Sequence, residues 1–153
     1  MYSDADHGGN PDNGCSTSGY VLKIGSGAVS WMLRLQLIVA LSTTEAEFIV
    51  AVSAGQEIVW MRAFLRELGL PVAGPSLLLL DNQSAIQVAK NPEHHGRMKH
   101  LDLRFFWLRD MVASGAIAVR YVPTADMAAD LLTKSLARVK VAAALPQLGL
   151  TAS

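Results

Sequence analysis

The sequence predicts a single α/β domain with a mixed five-stranded sheet flanked by helices. Segments rich in β-branched and apolar residues alternate with segments of helical periodicity, in the order three strands, helix, strand, helix, helix, strand and helix. The chain has 153 residues, a usual size for one domain. Hydrophobic residues make up 51% of it and charged residues 17%, a composition that excludes a disordered chain.

The first three strands come from the N-terminal part of the chain. Residues 1–5 form the opening strand, which we expect to be truncated at its start, and a loop rich in Asp, Asn and Gly follows. Residues 19–24 and 28–35 are rich in strand-forming side chains. They flank Gly25-Ser26-Gly27, an arrangement typical of a β-hairpin.

The longest predicted helix follows this hairpin. Ser42 and Glu45 are the first and last residues of a Ser-Thr-Thr-Glu capping box, and Gly69 ends the helix before Pro71. Apolar residues at helical spacing form one stripe, which predicts the face that packs on the core. The stripe consists of Val50, Ala51, Ala54, Ile58, Met61, Leu65 and Leu68.

The second half of the chain supplies two more strands. Four consecutive leucines at residues 77–80 predict a fully buried strand that ends at Asp81, and a short helix follows at residues 82–90. An amphipathic helix is predicted at residues 100–113, and the fifth strand at residues 116–122.

The last predicted helix of the domain is capped by Thr124 and runs through Asp126 and Asp130. We therefore expect a domain at residues 1–136, followed by a helical C-terminal tail at residues 137–153.

Composition narrows the cellular setting. No apolar run approaches the roughly 18 residues that span a bilayer, so we expect no membrane partner. The lone Cys15 fits a reducing compartment and no signal peptide is visible, which predicts an intracellular protein with cytoplasm and nucleus left open. The net charge of zero speaks mildly against nucleic-acid binding, but basic residues and histidines cluster between residues 90 and 109.

Four acidic residues stand where a structural protein rarely places them. An ionised carboxylate near a core is costly unless it meets a cation. Mg²⁺ prefers oxygen ligands, and two ions roughly 4 Å apart can activate a water and stabilise a leaving 3′-oxygen, so we expect a metal site. Each acid taken singly also fits an ordinary strand-end, turn or solvated position. The four are Asp4 in the first strand, Glu47 one helical step before the apolar stripe, Asp81 after the leucine strand, and Asp130 in the last helix.

Five local motifs follow one another along residues 2–136: YSDADHGGNPD, STSGYVLKIGSGAVSW, ALSTTEAEFIVA, LLDNQSAIQVAKNPEHHGRMKHLDLRF and VPTADMAADLLTKSL. In this order and spacing they resemble the ribonuclease H domain of copia-type LTR-retrotransposon Pol polyproteins. The resemblance implies a ribonuclease H-like fold and hydrolysis of the RNA strand of RNA–DNA hybrids during reverse transcription. It also implies two Mg²⁺ ions, with Mn²⁺ as a substitute. The implied partners are the hybrid and the reverse transcriptase domain of the same polyprotein.

Carried over to this chain, the resemblance places the catalytic and metal-binding acids at the same four positions, Asp4, Glu47, Asp81 and Asp130. In this fold class a histidine often helps to release product, and the candidates are His95 and His100. An ordinary turn or helix-start histidine is an equal alternative for either of them.

Contacts to nucleic acid would be directed at the backbone, because a hybrid is read mainly by its shape and its 2′-hydroxyl groups. The candidates beside the metal acids are Asn82, Gln83 and Ser84, although Asn82 fits a helix N-cap equally well. The candidates for phosphate contacts are Arg97, Lys99 and Arg104.

The chain departs from the family's pattern at positions that would face the substrate. His7 replaces a usual tryptophan, Met32 and Leu33 stand where small polar and basic residues are usual, and Ser135 replaces a proline. Fewer basic groups predict weaker phosphate binding, and exposed apolar side chains favour association. The alternative is therefore a folded, catalytically inactive remnant of a retrotransposon polyprotein that at most binds nucleic acid or a partner. An integrase-like domain is disfavoured by the order of the acids.

Overall fold

A five-stranded mixed sheet forms the centre of the molecule in the computed structural model, which describes residues 1–91 and 102–150. Its strands are β1 (Tyr2–Ala5), β2 (Thr17–Ile24), β3 (Gly27–Leu35), β4 (Ser76–Leu80) and β5 (Ile117–Tyr121). Their spatial order is β3-β2-β1-β4-β5. β1 pairs antiparallel with β2 and parallel with β4, so the sheet is mixed, as predicted.

Helices flank this sheet, which confirms the predicted fold class. They are α1 (Thr43–Glu67), α2 (Gln83–Lys90), α3 (Asp102–Ala113), α4 (Asp130–Thr133) and α5 (Arg138–Ala144), with short 3-10 turns at Thr124–Asp126 and Leu145–Leu148. α1 packs on β1, β2 and β4 and contacts α2 and α3, whereas α4 contacts β1, β2 and β3.

The start of α1 follows the predicted capping box closely. The hydroxyl of Ser42 accepts a hydrogen bond from the backbone nitrogen of Glu45 at 3.2 Å. The Glu45 carboxylate in turn accepts from the backbone nitrogen of Leu41 at 2.9 Å, one residue earlier than the usual return bond. By length and composition α1 could cross a membrane, but in this fold its N-terminal half is core, with Phe48 and Val50 fully buried.

Strand β4 is less buried than its four leucines predict. Leu78 and Leu80 are fully buried, whereas Leu77 is 41% exposed. Side chains alternate across a strand, so a strand is fully buried only when both faces of its sheet are covered. The exposure of Leu77 indicates that helices cover only one face of β4. The prediction of a fully buried strand is therefore wrong.

The predicted helix that begins at Thr124 and runs through Asp130 is also wrong. The 3-10 turn Thr124–Asp126 ends before three buried residues, Met127, Ala128 and Ala129, and α4 begins afresh at Asp130. Burial of this stretch overrides the helical pattern of the sequence. Thr124 does not cap a helix: its hydroxyl donates to the Asp81 carboxylate at 2.9 Å.

The C-terminal part of the described chain folds back towards the β2–β3 hairpin. α5 and the 3-10 turn Leu145–Leu148 lead to Gly149, which lies against the backbone of Ser26. The Lys23 ammonium donates a hydrogen bond to the carbonyl of Gln147. These contacts join the tail to the sheet.

Candidate metal centre

Three of the four predicted acids meet at the carboxyl ends of the neighbouring strands β1 and β4. Asp4 lies in β1, Asp81 follows β4, and Glu47 projects from the second turn of α1. Tyr2 pairs with Leu79 between the parallel strands, so two residues further along Asp4 and Asp81 stand at the same level. Each of the three carboxylates offers an oxygen, and these oxygens all lie within 4.8 Å of one another. We call Asp4, Glu47 and Asp81 the carboxylate cluster.

Glu47 is the most perturbed member of the carboxylate cluster. It is 5% exposed, and its Oε1 accepts a hydrogen bond from the backbone nitrogen of Ala5 at 3.2 Å. Its Oε2 is buried and has no hydrogen-bond partner among the residues that the structure describes. Burial, followed by the nearby charge of Asp4, raises the pKa of Glu47 to about 9. A buried carboxylate oxygen without a donor is a position that a cation would satisfy.

Asp4 is held from the opposite side by residues at the end of α4. It is 1% exposed, and its Oδ2 accepts a hydrogen bond from the hydroxyl of Thr133. Its Oδ1 lies 3.2 Å from the ammonium nitrogen of Lys134. Burial raises the pKa of Asp4, while the Thr133 hydroxyl and the Lys134 charge oppose that shift.

Among the described residues, Asp130 is joined to the site by an ion pair with Lys134. The Lys134 ammonium lies 2.7 Å from Asp130 Oδ1, so it bridges Asp130 and Asp4. Burial acts to lower the pKa of Lys134, but the hydrogen bonds and charges of Asp130 and Asp4 outweigh it, and the pKa is raised. Asp130 is not a member of the carboxylate cluster among the described residues.

A glycine on β2 allows α4 to come this close to Asp4. Gly19 pairs directly with Asp4 across β1 and β2. A Cβ atom at Gly19 would lie 2.8 Å from Thr133 Cγ2 and 2.9 Å from Leu132 Cβ, which is closer than such atoms can pack. The absence of a side chain at Gly19 therefore allows α4 to pack close to Asp4.

The remaining predicted residues have different outcomes. Asn82 caps α2, since its Oδ1 accepts from the backbone nitrogen of Ala85 at 2.9 Å. Gln83 and Ser84 are exposed at the start of α2, next to Asp81, and Arg104 is exposed on α3. His95, Arg97, Lys99 and His100 lie outside the described residues.

Three residues with contacts to the acids were missed by the sequence reasoning. Thr124 bonds Asp81, Thr133 bonds Asp4, and Lys134 bonds both Asp4 and Asp130. All three lie in the quoted motif VPTADMAADLLTKSL, and the spacing of Asp130 and Lys134, four residues apart, favours an ion pair on a helix.

The donor set fits a divalent cation of the magnesium type. Three converging carboxylates repel one another when all are ionised, and the raised pKa of Glu47 reflects this conflict together with burial. Mg²⁺ and Mn²⁺ take carboxylate oxygens and remove the repulsion. The unpartnered Glu47 Oε2 provides an oxygen that no described donor already occupies.

Sequence relatives of the chain come from transposons. It is 45% identical over 139 residues to the retrovirus-related Pol polyprotein from transposon TNT 1-94 of Nicotiana tabacum, a match that covers 91% of this chain. It is 41% identical over 138 residues to the retrovirus-related Pol polyprotein from transposon RE2 of Arabidopsis thaliana, covering 90% of this chain. In both cases the chain spans about 10% of the relative's length. No family model matches the chain.

Solved structures with the same fold are ribonuclease H domains. The N-terminal RNase H domain of a Mycobacterium tuberculosis protein superposes with a TM-score of 0.57 at 16% identity, covering 86% of this chain and 87% of that one. RNase H1 from the halophilic archaeon Halobacterium salinarum NRC-1 gives a TM-score of 0.55 at 20% identity, covering 86% of this chain and 90% of that one.

Proposed function

The chain is homologous to one segment of retrotransposon Pol polyproteins and has a ribonuclease H-like fold, and on that premise we propose that it is a metal-dependent endonuclease that cleaves the RNA strand of RNA–DNA hybrids. The supporting observation is the carboxylate cluster, in which oxygens of Asp4, Glu47 and Asp81 lie within 4.8 Å of one another. The buried, unpartnered Glu47 Oε2 adds to it, because a structural carboxylate would have a donor.

Hydrogen bonds hold the side chains of the carboxylate cluster in orientations that would bind a cation. The Ala5 backbone orients Glu47, the Thr133 hydroxyl orients Asp4, and the Thr124 hydroxyl orients Asp81. Hydrogen bonds of this kind restrict the rotamers of ligating carboxylates and prepare the site for a metal. Divalent cations bound there, Mg²⁺ or in its place Mn²⁺, would activate a water and stabilise charge on the cleaved phosphate. The sequence expectation of two ions, with Asp130 as a fourth ligand, belongs to this proposal.

Substrate contacts are proposed near the carboxyl ends of β1 and β4. Gln83 and Ser84 are exposed beside Asp81, where their side chains could donate to sugar or phosphate oxygens. Arg104 on α3 is exposed and is proposed as a phosphate contact. The same roles are proposed for Arg97 and Lys99 outside the described residues, and product release for His95 or His100. For Asn82, the observed cap to Ala85 favours the structural alternative.

The proposed molecular context is a longer polyprotein. The relatives are Pol polyproteins of which this chain matches about one tenth of the length. We propose that the element is of the copia type and that its reverse transcriptase domain is the partner that supplies the hybrid.

An inactive remnant is the second candidate, and one observation favours it. Trp31 and Leu33 in β3 and Leu37 just after it are 66%, 58% and 85% exposed. Apolar side chains therefore occupy surface on which basic groups would bind nucleic-acid phosphates more strongly. Such a chain could fold, bind a partner through this surface and cleave nothing.

A cleavage assay separates the two candidates. Purified full chain is mixed with Mg²⁺ and an RNA–DNA hybrid labelled on the RNA strand, beside an Asp81→Asn variant and an Asp110→Asn control, which changes an exposed aspartate on α3. The nuclease predicts RNA cleavage by the wild type and the control, and loss of at least about a hundredfold in Asp81→Asn. Hybrid binding without cleavage by a folded wild type would support the remnant.

A further inference from the structure

Two of the four acids are already bridged by a positive charge from the chain itself. The Lys134 ammonium lies 2.7 Å from Asp130 Oδ1 and 3.2 Å from Asp4 Oδ1, so a single nitrogen contacts one oxygen of each carboxylate. Carboxylate oxygens such as these are also ligands that a divalent metal prefers, so Asp4 and Asp130 would be able to hold one.

The backbone places Lys134 next to both acids. Its backbone nitrogen donates to the carbonyl of Asp130 at 3.0 Å, which places it directly after the single turn of α4. Its side chain is 36% exposed, while the side chains of its two partners are 15% and 1% exposed. The two carboxylates are largely removed from water, so salt screens their attraction to Lys134 less than it screens an ion pair between two fully exposed side chains.

The carboxylate cluster differs in this respect. Glu47 Oε2 is buried without a donor, and none of the hydrogen bonds to Glu47 or Asp81 in the described part of the chain comes from a charged side chain. The four acids therefore form two cation positions that share Asp4. The Lys134 ammonium occupies the position between Asp4 and Asp130. The position at the carboxylate cluster includes Glu47 Oε2, which is buried and has no hydrogen-bond partner among the described residues.

We propose that Lys134 is a positioning residue that occupies the second cation position, so that the folded chain binds one divalent ion at the carboxylate cluster and binds a second only when Lys134 leaves Asp130. This inference rests on the proposed metal-dependent function and restricts it. A second divalent ion beside Asp4 would stand next to the Lys134 ammonium, and the repulsion between the like charges weakens its binding. Release of the ammonium from Asp130 is then the step that admits it.

The test counts Mn²⁺ ions bound by the full chain without nucleic acid, by isothermal titration calorimetry and by the electron paramagnetic resonance signal of free Mn²⁺. The wild type is expected to bind one ion, with any second ion at least about tenfold weaker. Lys134→Gln should bind two ions of similar affinity, because the two carboxylates then face each other without a charge between them. Lys134→Arg keeps the cation and should bind one ion, and Lys90→Gln, at an exposed lysine on α2, should behave as the wild type.

An Asp130→Asn variant gives an independent answer that does not depend on the folding of Lys134→Gln. If the first ion sits at the carboxylate cluster, Asp130→Asn should change its dissociation constant by no more than about threefold, whereas Asp81→Asn should weaken it by tenfold or more. Circular dichroism establishes that each variant is folded.

The possible failures have different meanings. Two Mn²⁺ ions of similar affinity in the wild type, or a large loss of the first ion in Asp130→Asn, would overturn the role of Lys134 and leave the proposed nuclease intact. A folded wild type that binds no Mn²⁺ at all would overturn both.

Discussion

Glu47 Oε1 lies 3.2 Å from the backbone nitrogen of Ala5, so the long helix α1 is bonded to the central strand β1 beside Asp4. This bond fixes one oxygen of Glu47 in the core and leaves the other, Oε2, buried and without a partner. The arrangement is costly for an ionised carboxylate and makes the stability of the chain sensitive to pH and to metal.

The first prediction concerns pH. The pKa of Glu47 is raised from 4.5 to about 9, so between these values the folded chain keeps a proton that the unfolded chain has released. Without metal, the free energy of unfolding should therefore fall as pH rises through this window, by at most about 1.4 kcal/mol per pH unit. Glu47→Gln has no such proton and should flatten the dependence.

Urea unfolding in EDTA at about pH 5.5 and about pH 8 measures this effect. Glu67→Gln, at an exposed glutamate near the end of the same helix, should keep the wild-type dependence. If the free energy of unfolding changes equally between the two pH values in the wild type and in Glu47→Gln, Glu47 does not cause the pH dependence.

The second prediction concerns the approach of α4. Gly19→Ala places a Cβ atom 2.8 Å from Thr133 Cγ2 and 2.9 Å from Leu132 Cβ, so α4 must shift away from Asp4. We expect a loss of about 1–3 kcal/mol in the free energy of unfolding and weaker metal binding.

Gly27→Ala is the matched control, because nothing lies within 4 Å of a Cβ atom there. Chemical denaturation compares the two variants. Equal stability of both would mean that α4 does not lie as close to β2 as described.

The third prediction concerns Thr124, which the sequence suggested as a helix cap and which bonds Asp81 instead. Thr124→Val should weaken Mn²⁺ binding about tenfold, because the Asp81 carboxylate loses the hydroxyl that orients it. Thr124→Ser retains a hydroxyl and should bind Mn²⁺ nearly as the wild type does. Calorimetric titration of both variants with Mn²⁺ measures this. Equal Mn²⁺ affinities of Thr124→Val and the wild type would show that the Thr124 hydroxyl does not contribute to the metal site.

The fourth prediction concerns the apolar surface after β3. Leu37 and Leu41 are 85% and 77% exposed, and contiguous exposed apolar surface favours association. The wild type should associate as its concentration rises, and Leu37→Lys combined with Leu41→Lys should reduce that association with little change in stability. Sedimentation velocity decides: a wild type that stays monomeric throughout contradicts the prediction.

Much of the fold could be predicted from local pattern because its main elements have strong local signals. The Ser42 capping box marks the start of α1, and Gly25-Ser26-Gly27 marks the turn between β2 and β3. The apolar stripe predicts the buried face of α1 from Val50 to Ile58, but its last member, Leu68, lies beyond α1 and is 58% exposed. Glu47 stood out for a similar reason, since a carboxylate one helical step before an apolar stripe is predicted to lie near the core, and it is 5% exposed.

The contacts around α4 could not be predicted in this way. Met127, Ala128 and Ala129 fit a helical pattern, and only their burial in the folded chain interrupts the helix. That interruption places Thr133 and Lys134 on Asp4, which lies 129 and 130 residues earlier in the chain. Leu77 likewise has the sequence of a buried strand but lies on an uncovered face of β4.

The most direct test of the central claim is anomalous diffraction from crystals of the chain soaked in Mn²⁺. We predict a peak within roughly 2.5 Å of carboxylate oxygens from Asp4, Glu47 and Asp81, and its loss in Asp81→Asn. Well-ordered crystals with the three side chains in place and no peak among them, at a Mn²⁺ concentration that labels other sites, would contradict the claim.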